Sequence, residues 1–283
     1  MVQQTSESVC DPSFDSMTEL RKYLLQSSFL LVSLLMHFRF LFVIRSFYRK
    51  SSRLNSFYSL YLLECWLNTV SIVILILIDK PSTYITYLCP IFVDAFPSPS
   101  YLLNFYWITD YLQLAKCIVH AFISINRMTC VLFPLQYVFW WNRCLSYCIL
   151  FTFLAPFAVL WTALISKAYI IQYLGGFGIG YDHVVPWARL SVLKGIAFFS
   201  IVVIILTTSS FTVVYLSKKT KKSAKGTEKN LCIATVVSAF KIIGFLAAQL
   251  FFVISPFSGT DSDTAYDCWL QINDFLYDLV LFL

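Results

Sequence analysis

The sequence predicts an all-α, polytopic membrane bundle of seven transmembrane helices, with its N-terminus outside and its seventh helix abbreviated. Three observations predict it. The composition is too apolar for a water-soluble fold, the apolar runs are long enough to cross a bilayer, and Lys and Arg gather in alternate connections.

Of the 283 residues, 59% are hydrophobic, 18% aromatic and 13% charged, at a mean hydropathy of +0.73. Soluble domains carry about 45–50% apolar and about 25% charged residues. The surplus of 27 Phe and 17 Tyr therefore needs an apolar solvent. The same values exclude a disordered chain, which is rich in charge and poor in aromatics. With 8 Gly and 9 Pro, a collagen-like or low-complexity chain is excluded too.

A helix needs about 20 mainly apolar residues to cross a hydrocarbon core of about 30 Å. Six runs reach that length: Tyr23–Ile44, Ser56–Ile78, Tyr101–Thr129, Cys144–Ser166, Val192–Leu216 and Leu231–Ile254. A seventh, 268–283, extends for about 24 Å at 1.5 Å per residue and is expected to be abbreviated. Residues 1–22 are expected as an extracellular N-terminal segment, and 23–283 as one seven-helix domain. Glu7, Asp11, Asp15 and Glu19 precede the first run, so a cleavable signal peptide is not expected. The first span then acts as a signal anchor.

Basic residues mark the cytoplasmic connections of membrane proteins. Arg45, Arg49, Lys50 and Arg53 follow the first span, and Arg127 and Arg143 flank the connection after the third. The connection after the fifth, SKKTKKSAKGTEKN, holds Lys218, Lys219, Lys221, Lys222, Lys225 and Lys229 against one Glu. The last connection on the other side, SPFSGTDSDTAYD, has three Asp and no base. This places the N-terminus outside. It also accounts for the net charge of +6 without a nucleic-acid partner, so none is expected. The lysine segment either contacts a protein or anionic lipid, or simply fixes orientation.

Ionisable residues inside spans are costly and tend to face other helices or a wet cavity. Several are present: Arg39 with His37, Glu64, Asp110, Lys116, His120, Lys241, Asp274 and Asp278. Arg39 and Glu64 stand at similar depths and are candidates to pair. In span 3, Lys116, His120 and Arg127 fall within about 40° on one helix face, with Gln113 close by and Asp110 further round. Such a stripe belongs on a central helix; plain interhelical hydrogen bonding is the competing role. In span 7, Asp267, Gln271, Asp274 and Asp278 share a face, and Lys241 is the candidate counter-ion of Asp278. That acidic line keeps a small-solute transporter or channel open as an alternative function.

No catalytic or cofactor-binding constellation emerges. The three His, at 37, 120 and 183, make no metal-ligand spacing, and the nine Cys form no CxxC. No catalytic residue, cofactor or metal is expected, nor enzymatic activity. Gly175, Gly176, Gly178 and Gly180 lie in the connection Lys167–Ser191 without a preceding strand, and are expected as a flexible loop.

The run Ser124-Ile125-Asn126-Arg127-Met128, followed by Val131-Leu132-Phe133-Pro134, resembles the end of the third helix in nematode serpentine receptors of class gamma (Srg). These are chemoreceptors of G-protein-coupled-receptor type. The layout is similar over nearly the whole chain. The block also resembles the Asp-Arg-Tyr element of rhodopsin-like receptors, with Asn126-Arg127-Met128 in its place. The resemblance implies that Asn126, Arg127, Met128, Pro134, Lys218, Lys219, Lys221 and Lys222 face a heterotrimeric G protein. A snorkelling, orientation-setting role for Arg127 is the alternative. Asn126 lacks the carboxylate that restrains the arginine in the Asp version, so an ionic restraint on Arg127 must come from elsewhere or be absent. The position for the usual disulfide at the top of helix 3, near Leu102, is not Cys and Lys167–Ser191 holds none, the NPxxY element is not found in 268–283, and no eighth helix is expected. Among the outer thiols, Cys89 and Cys268 are the candidate pair.

Taken with the resemblance, the expected function is that of a chemosensory receptor in the plasma membrane, of sensory cell endings. It would detect a small external molecule, with Tyr106, Asp110, Gln113 and Trp187 as candidate pocket residues by depth. The expected partners are that ligand, a G protein, membrane lipids and other receptors in an oligomer. A non-signalling receptor subunit is a further alternative.

Overall fold

The computed structural model describes residues 15–50, 56–88, 90–91, 99–173, 176–182, 184–185, 187–219 and 243. Spans 231–254 and 268–283 fall outside them apart from residue 243, and with them Lys241, Cys268, Asp274 and Asp278. Cys89, Lys221 and Lys222 lie outside as well.

Among the described residues, five helical segments are long and apolar enough to cross a membrane: Ser16–Ser46, Ser56–Tyr84, Trp107–Leu132, Tyr137–Ile165 and Leu190–Tyr215. They correspond to the first five predicted spans. Their outward residues are apolar, with Leu24, Leu35, Phe42, Tyr147 and Phe211 all more than half exposed. An apolar surface of that extent suits hydrocarbon rather than water.

Helix α1 covers Ser16–Lys50 and so takes in part of the predicted N-terminal segment. Asp15 explains the early start. Its carboxylate accepts from the Met17 N–H at 3.2 Å and the Thr18 hydroxyl at 2.6 Å, which caps the first turn. Those two bonds, the Thr18 one foremost, hold the Asp15 carboxyl below its ordinary value of 3.8.

Helix α2, Ser56–Ile74, runs through a π-helical turn at Leu75–Asp79 into the short α3, Lys80–Tyr84. The π turn precedes Pro81, which has no N–H to donate to an α-helical ladder. Within the turn, the Ile76 carbonyl accepts from the Tyr23 hydroxyl of α1 at 3.3 Å.

Helix α4, Pro99–Leu132, ends where Pro134 removes a donor. A turn at 133–136 then leads into α5, Tyr137–Ile165, which starts seven residues before the predicted span. Helix α6 covers Leu190–Lys219.

The connection between α5 and α6 departs from expectation. Instead of a flexible loop it forms an antiparallel hairpin, β1 Lys167–Tyr173 and β2 Gly176–Asp182, in register from Lys167↔Asp182 to Tyr173↔Gly176. The fold is therefore helical with one hairpin rather than strictly all-α. The glycines explain both the misreading and the structure. Gly176, Gly178 and Gly180 alternate along the strand and fall on one face. A Cβ at Gly176 would stand 2.0 Å from the Ser82 carbonyl oxygen and 2.7 Å from that of Thr83. Only glycine lets the hairpin lie this close on α3. Lys80 and Tyr84 of α3 and Phe177 of β2 are each about 1% exposed.

Helix α4 is the hub, as the polar stripe predicted. Half of its most apolar window is buried, against 28–33% for each of the other four spans. Two apolar stripes explain this. Leu114, Cys117 and Ala121 pack with Phe198, Ile201, Val202 and Ile205 of α6. Leu112, Ala115, Val119 and Ile123 pack with Leu60 and Leu67 of α2 and with Tyr137 and Trp141 of α5. Ala115 and Ala121 are small, which lets the backbones approach and gain van der Waals contact.

Candidate functional site

The polar residues of α4 are addressed mainly to α2. Lys116 Nζ donates to Ser71 Oγ at 3.3 Å, and His120 Nε2 lies 3.1 Å from Glu64 Oε1. Arg127 donates to the Tyr61 hydroxyl, and Asn126 Nδ2 donates to Ser56 Oγ at 3.0 Å. As numbers rise along α4 they fall along α2, so the two helices run antiparallel and the predicted stripe becomes a ladder between them. Glu64 thus pairs with His120 and not with Arg39, which is exposed on α1. Depth alone put Arg39 and Glu64 together; the facing of α1 separates them.

At the Arg127 end of the ladder, three side chains from three helices close a ring. Tyr137 Oη of α5 donates to Asn126 Oδ1 at 2.9 Å, while Asn126 Nδ2 donates to Ser56 Oγ. Ser56 and Tyr137 are in turn 2.9 Å apart. The phenol has spent its only proton on Asn126, so Ser56 must donate to Tyr137. Each member then gives one hydrogen and receives one. Asn126 is fully buried and Ser56 only 4% exposed, where an unmet polar group would cost about 1–3 kcal/mol. The amide fits here because it both donates and accepts. An ionised carboxylate could only accept.

Arg127 is held against aromatic side chains of α2. Its guanidinium lies 5.9 Å from the Phe57 ring centroid and 5.7 Å from that of Tyr61, within cation–π range. Both rings belong to α2. Next to it, Trp141 Nε1 donates to Thr129 Oγ1 at 2.8 Å and ties the start of α5 to the end of α4. Met128 is half-buried, and Pro134 is exposed on the turn between those helices. Lys218 and Lys219 lie at the end of α6.

Toward the hairpin end, Asp110 pairs with Lys194 of α6 at 2.5 Å, with side chains 29% and 12% exposed. Asp110 therefore faces away from the α2 ladder, as its position further round the helix predicts. On the adjacent turn, Trp107, Tyr111 and Phe157 form an aromatic cluster with centroids 5.1–6.3 Å apart. Tyr111 Oη also donates to the Phe153 carbonyl at 2.8 Å. Gln113 is buried, and Tyr106 lies on α4. Trp187 is 77% exposed and packs on Trp161 of α5.

Sequence reasoning missed Lys194, Ser56, Tyr61 and Tyr137. Lys194 had a usable signal, being a lone base at the start of an apolar run. The hydroxyl residues had none, because their partners are 11–81 residues away along the chain. No group of three or more His, Cys, Asp or Glu among the described residues is placed to hold a metal ion.

Comparison with known proteins accounts for this architecture. The sequence model of the Srg family chemoreceptors matches residues 23–282. Serpentine receptor class gamma-13 of Caenorhabditis elegans is 32% identical over 278 residues, covering 96% of this chain and 80% of the relative. Class gamma-3 of the same nematode is 34% identical over 240 residues, covering 84% and 70%. Class gamma-5 is 28% identical over 264 residues, covering 92% and 80%. Together with the five apolar helices, these matches identify an integral membrane protein, and the chain belongs to the Srg family of chemoreceptors.

Proposed function

We propose that this chain is a seven-helix chemosensory receptor of the plasma membrane, in sensory cell endings, that binds a small external molecule and couples to a heterotrimeric G protein. The N-terminus and hairpin face outside, and the α4–α5 turn and the lysine segment face the cytoplasm. Helices at 231–254 and 268–283 complete the bundle, with Lys241 countering Asp278. Cys89 and Cys268 close an outer disulfide. Asn126, Arg127, Met128, Pro134 and Lys218, Lys219, Lys221 and Lys222 border the G-protein face.

The supporting observation is the way Arg127 is held. A guanidinium at the end of a central helix, held against α2 by the aromatic rings of Phe57 and Tyr61 and the Tyr61 hydroxyl, can be released by a small shift of α2 against α4. The ring of Ser56, Asn126 and Tyr137 lies beside it and breaks with the same shift. A ligand that favours the shifted arrangement through differential contacts near Asp110, Gln113 and Tyr106 changes the population of that state.

The test is ligand-stimulated nucleotide exchange on a G protein co-expressed with the surface-displayed receptor, against a broad panel of small molecules. Stimulation that disappears in Arg127→Ala supports the reading. Silence across the panel in a correctly displayed receptor counts against it.

A further inference from the structure

We infer that the Asp110–Lys194 pair is the ligand-contacting element of the outer half, and that it selects a small zwitterion of amino-acid type with an aromatic side chain. The inference deepens the receptor function proposed above and rests on it only for location.

The pair joins α4 to α6, whose apolar residues pack together around Leu114, Cys117 and Phe198. Asp110 Oδ1 carries the Lys194 ammonium at 2.5 Å. Among the described residues, Asp110 Oδ2 accepts no hydrogen bond. One turn away, the buried Nε1–H of Trp107 has no acceptor among the described residues. The pair thus offers one unfilled anionic acceptor and an ammonium with hydrogens to spare, with an unfilled donor one turn away along α4. A ligand ammonium fits Asp110, and a ligand carboxylate fits Lys194 and Trp107. The two dipoles then lie antiparallel, and the existing bridge need not break.

Charge balance selects the class. Within a bundle of apolar helices, an uncompensated charge carries a heavy desolvation cost. A simple amine would leave a net positive group beside Lys194, and a simple acid a net negative one beside Asp110. An uncharged alcohol or hydrocarbon would answer none of the open hydrogen-bonding positions. A zwitterion answers them while keeping the site neutral. The Trp107, Tyr111 and Phe157 rings, in tilted and edge-on contact, accept a further aromatic ring in the same geometry.

Three probes of nearly one shape separate these cases: L-phenylalanine, phenethylamine and 3-phenylpropionate. The readout is the rise in melting temperature of the purified full chain in lipid nanodiscs, together with the dissociation constant of each probe. Wild type is expected to bind phenylalanine at least tenfold more tightly than either singly charged probe. Lys194→Met should move the preference to phenethylamine, and Asp110→Asn to 3-phenylpropionate. The charge-conserving Lys194→Arg and Asp110→Glu should keep the phenylalanine preference, and they serve where the neutral variants fail to fold.

Equal affinity for the three probes overturns the inference. So does the absence of binding by wild type, or a preference unmoved in a folded neutral variant. Nucleotide exchange driven by other chemicals while all three probes are inert would remove this inference and leave the receptor function standing. Binding of phenylalanine without any exchange would do the reverse.

Discussion

The hydroxyl of Tyr137, the first residue of α5, donates to the side-chain oxygen of Asn126 eleven residues earlier on α4, at 2.9 Å. The bond spans the turn at 133–136 and makes the start of one helix depend on the end of another. Because Asn126 also donates to Ser56, the pair is coupled to α2. Tyr137→Phe and Ser56→Ala are each expected to lower stability by about 1–3 kcal/mol, the cost of leaving a buried polar group unmet. The double variant should cost less than the two single effects added, with a coupling of about 0.5–3 kcal/mol. Thermal unfolding in detergent micelles gives the cycle, and strict additivity would show that no ring exists.

Arg127 offers a contrast between charge and shape. Arg127→Lys keeps the charge but loses the planar guanidinium that lies beside the Phe57 and Tyr61 rings. We expect it to weaken the restraint by about 0.5–1 kcal/mol, the scale of an exposed cation–π contact. Basal nucleotide exchange on a co-expressed G protein should rise as a result. Tyr61→Phe, which keeps the ring and removes the acceptor, should give an intermediate rise. Basal exchange unchanged in both variants would mean that the α2 rings do not restrain the arginine.

Gly176 tests the hairpin. A Cβ there meets main-chain oxygens of Ser82 and Thr83, neither of which can rotate away as a side chain would. Gly176→Ala is therefore expected to lift β2 from α3 at a cost of about 1–3 kcal/mol, the range for overpacking. Limited proteolysis should then cut faster between residues 167 and 182, with the helices still resistant. An unchanged cleavage rate would contradict the close approach.

Acid should loosen the start of α1 first. The hydrogen bonds to Asp15 hold its carboxyl below 3.8 in the folded chain. A depressed value means that the stabilisation is complete above the unfolded value and fades as pH falls through the folded one. We expect an NMR titration of the Asp15 carboxyl to show a midpoint below 3.8, rising to the unfolded value in Thr18→Ala. Amide protection at Met17 and Glu19, corrected for intrinsic exchange, should drop over the same interval. A midpoint at or above 3.8 in the folded chain would remove the cap.

What could be read from sequence was what repeats along one helix. The stripe of Lys116, His120 and Arg127 follows from 3.6 residues per turn, and among the described residues all three meet partners on α2. The central place of its helix followed from the cost of exposing such a stripe to lipid. Pairing across helices was less accessible, because depth is one coordinate and the rotation of each helix is another. Arg39 and Glu64 agree in the first and differ in the second. The hairpin was hidden for another reason: the alternating glycines that make β2 fit against α3 are the residues that normally signal an irregular loop. Lys194, by contrast, was visible as a lone base in an apolar run, and only its partner needed the fold.

The π turn at Leu75–Asp79 works like a vernier between two scales. It inserts one extra residue into an otherwise continuous helix, and each residue turns the chain by about 100°. Everything outward of it is thereby rotated relative to α2, including the Ser82 and Thr83 carbonyls on which Gly176 rests. The ladder facing α4 and the seat for the hairpin thus keep independent phases on one rod. Deleting a single residue here would leave the ladder aligned and turn the seat away from the hairpin, so length at this point sets fit as strictly as side-chain identity does.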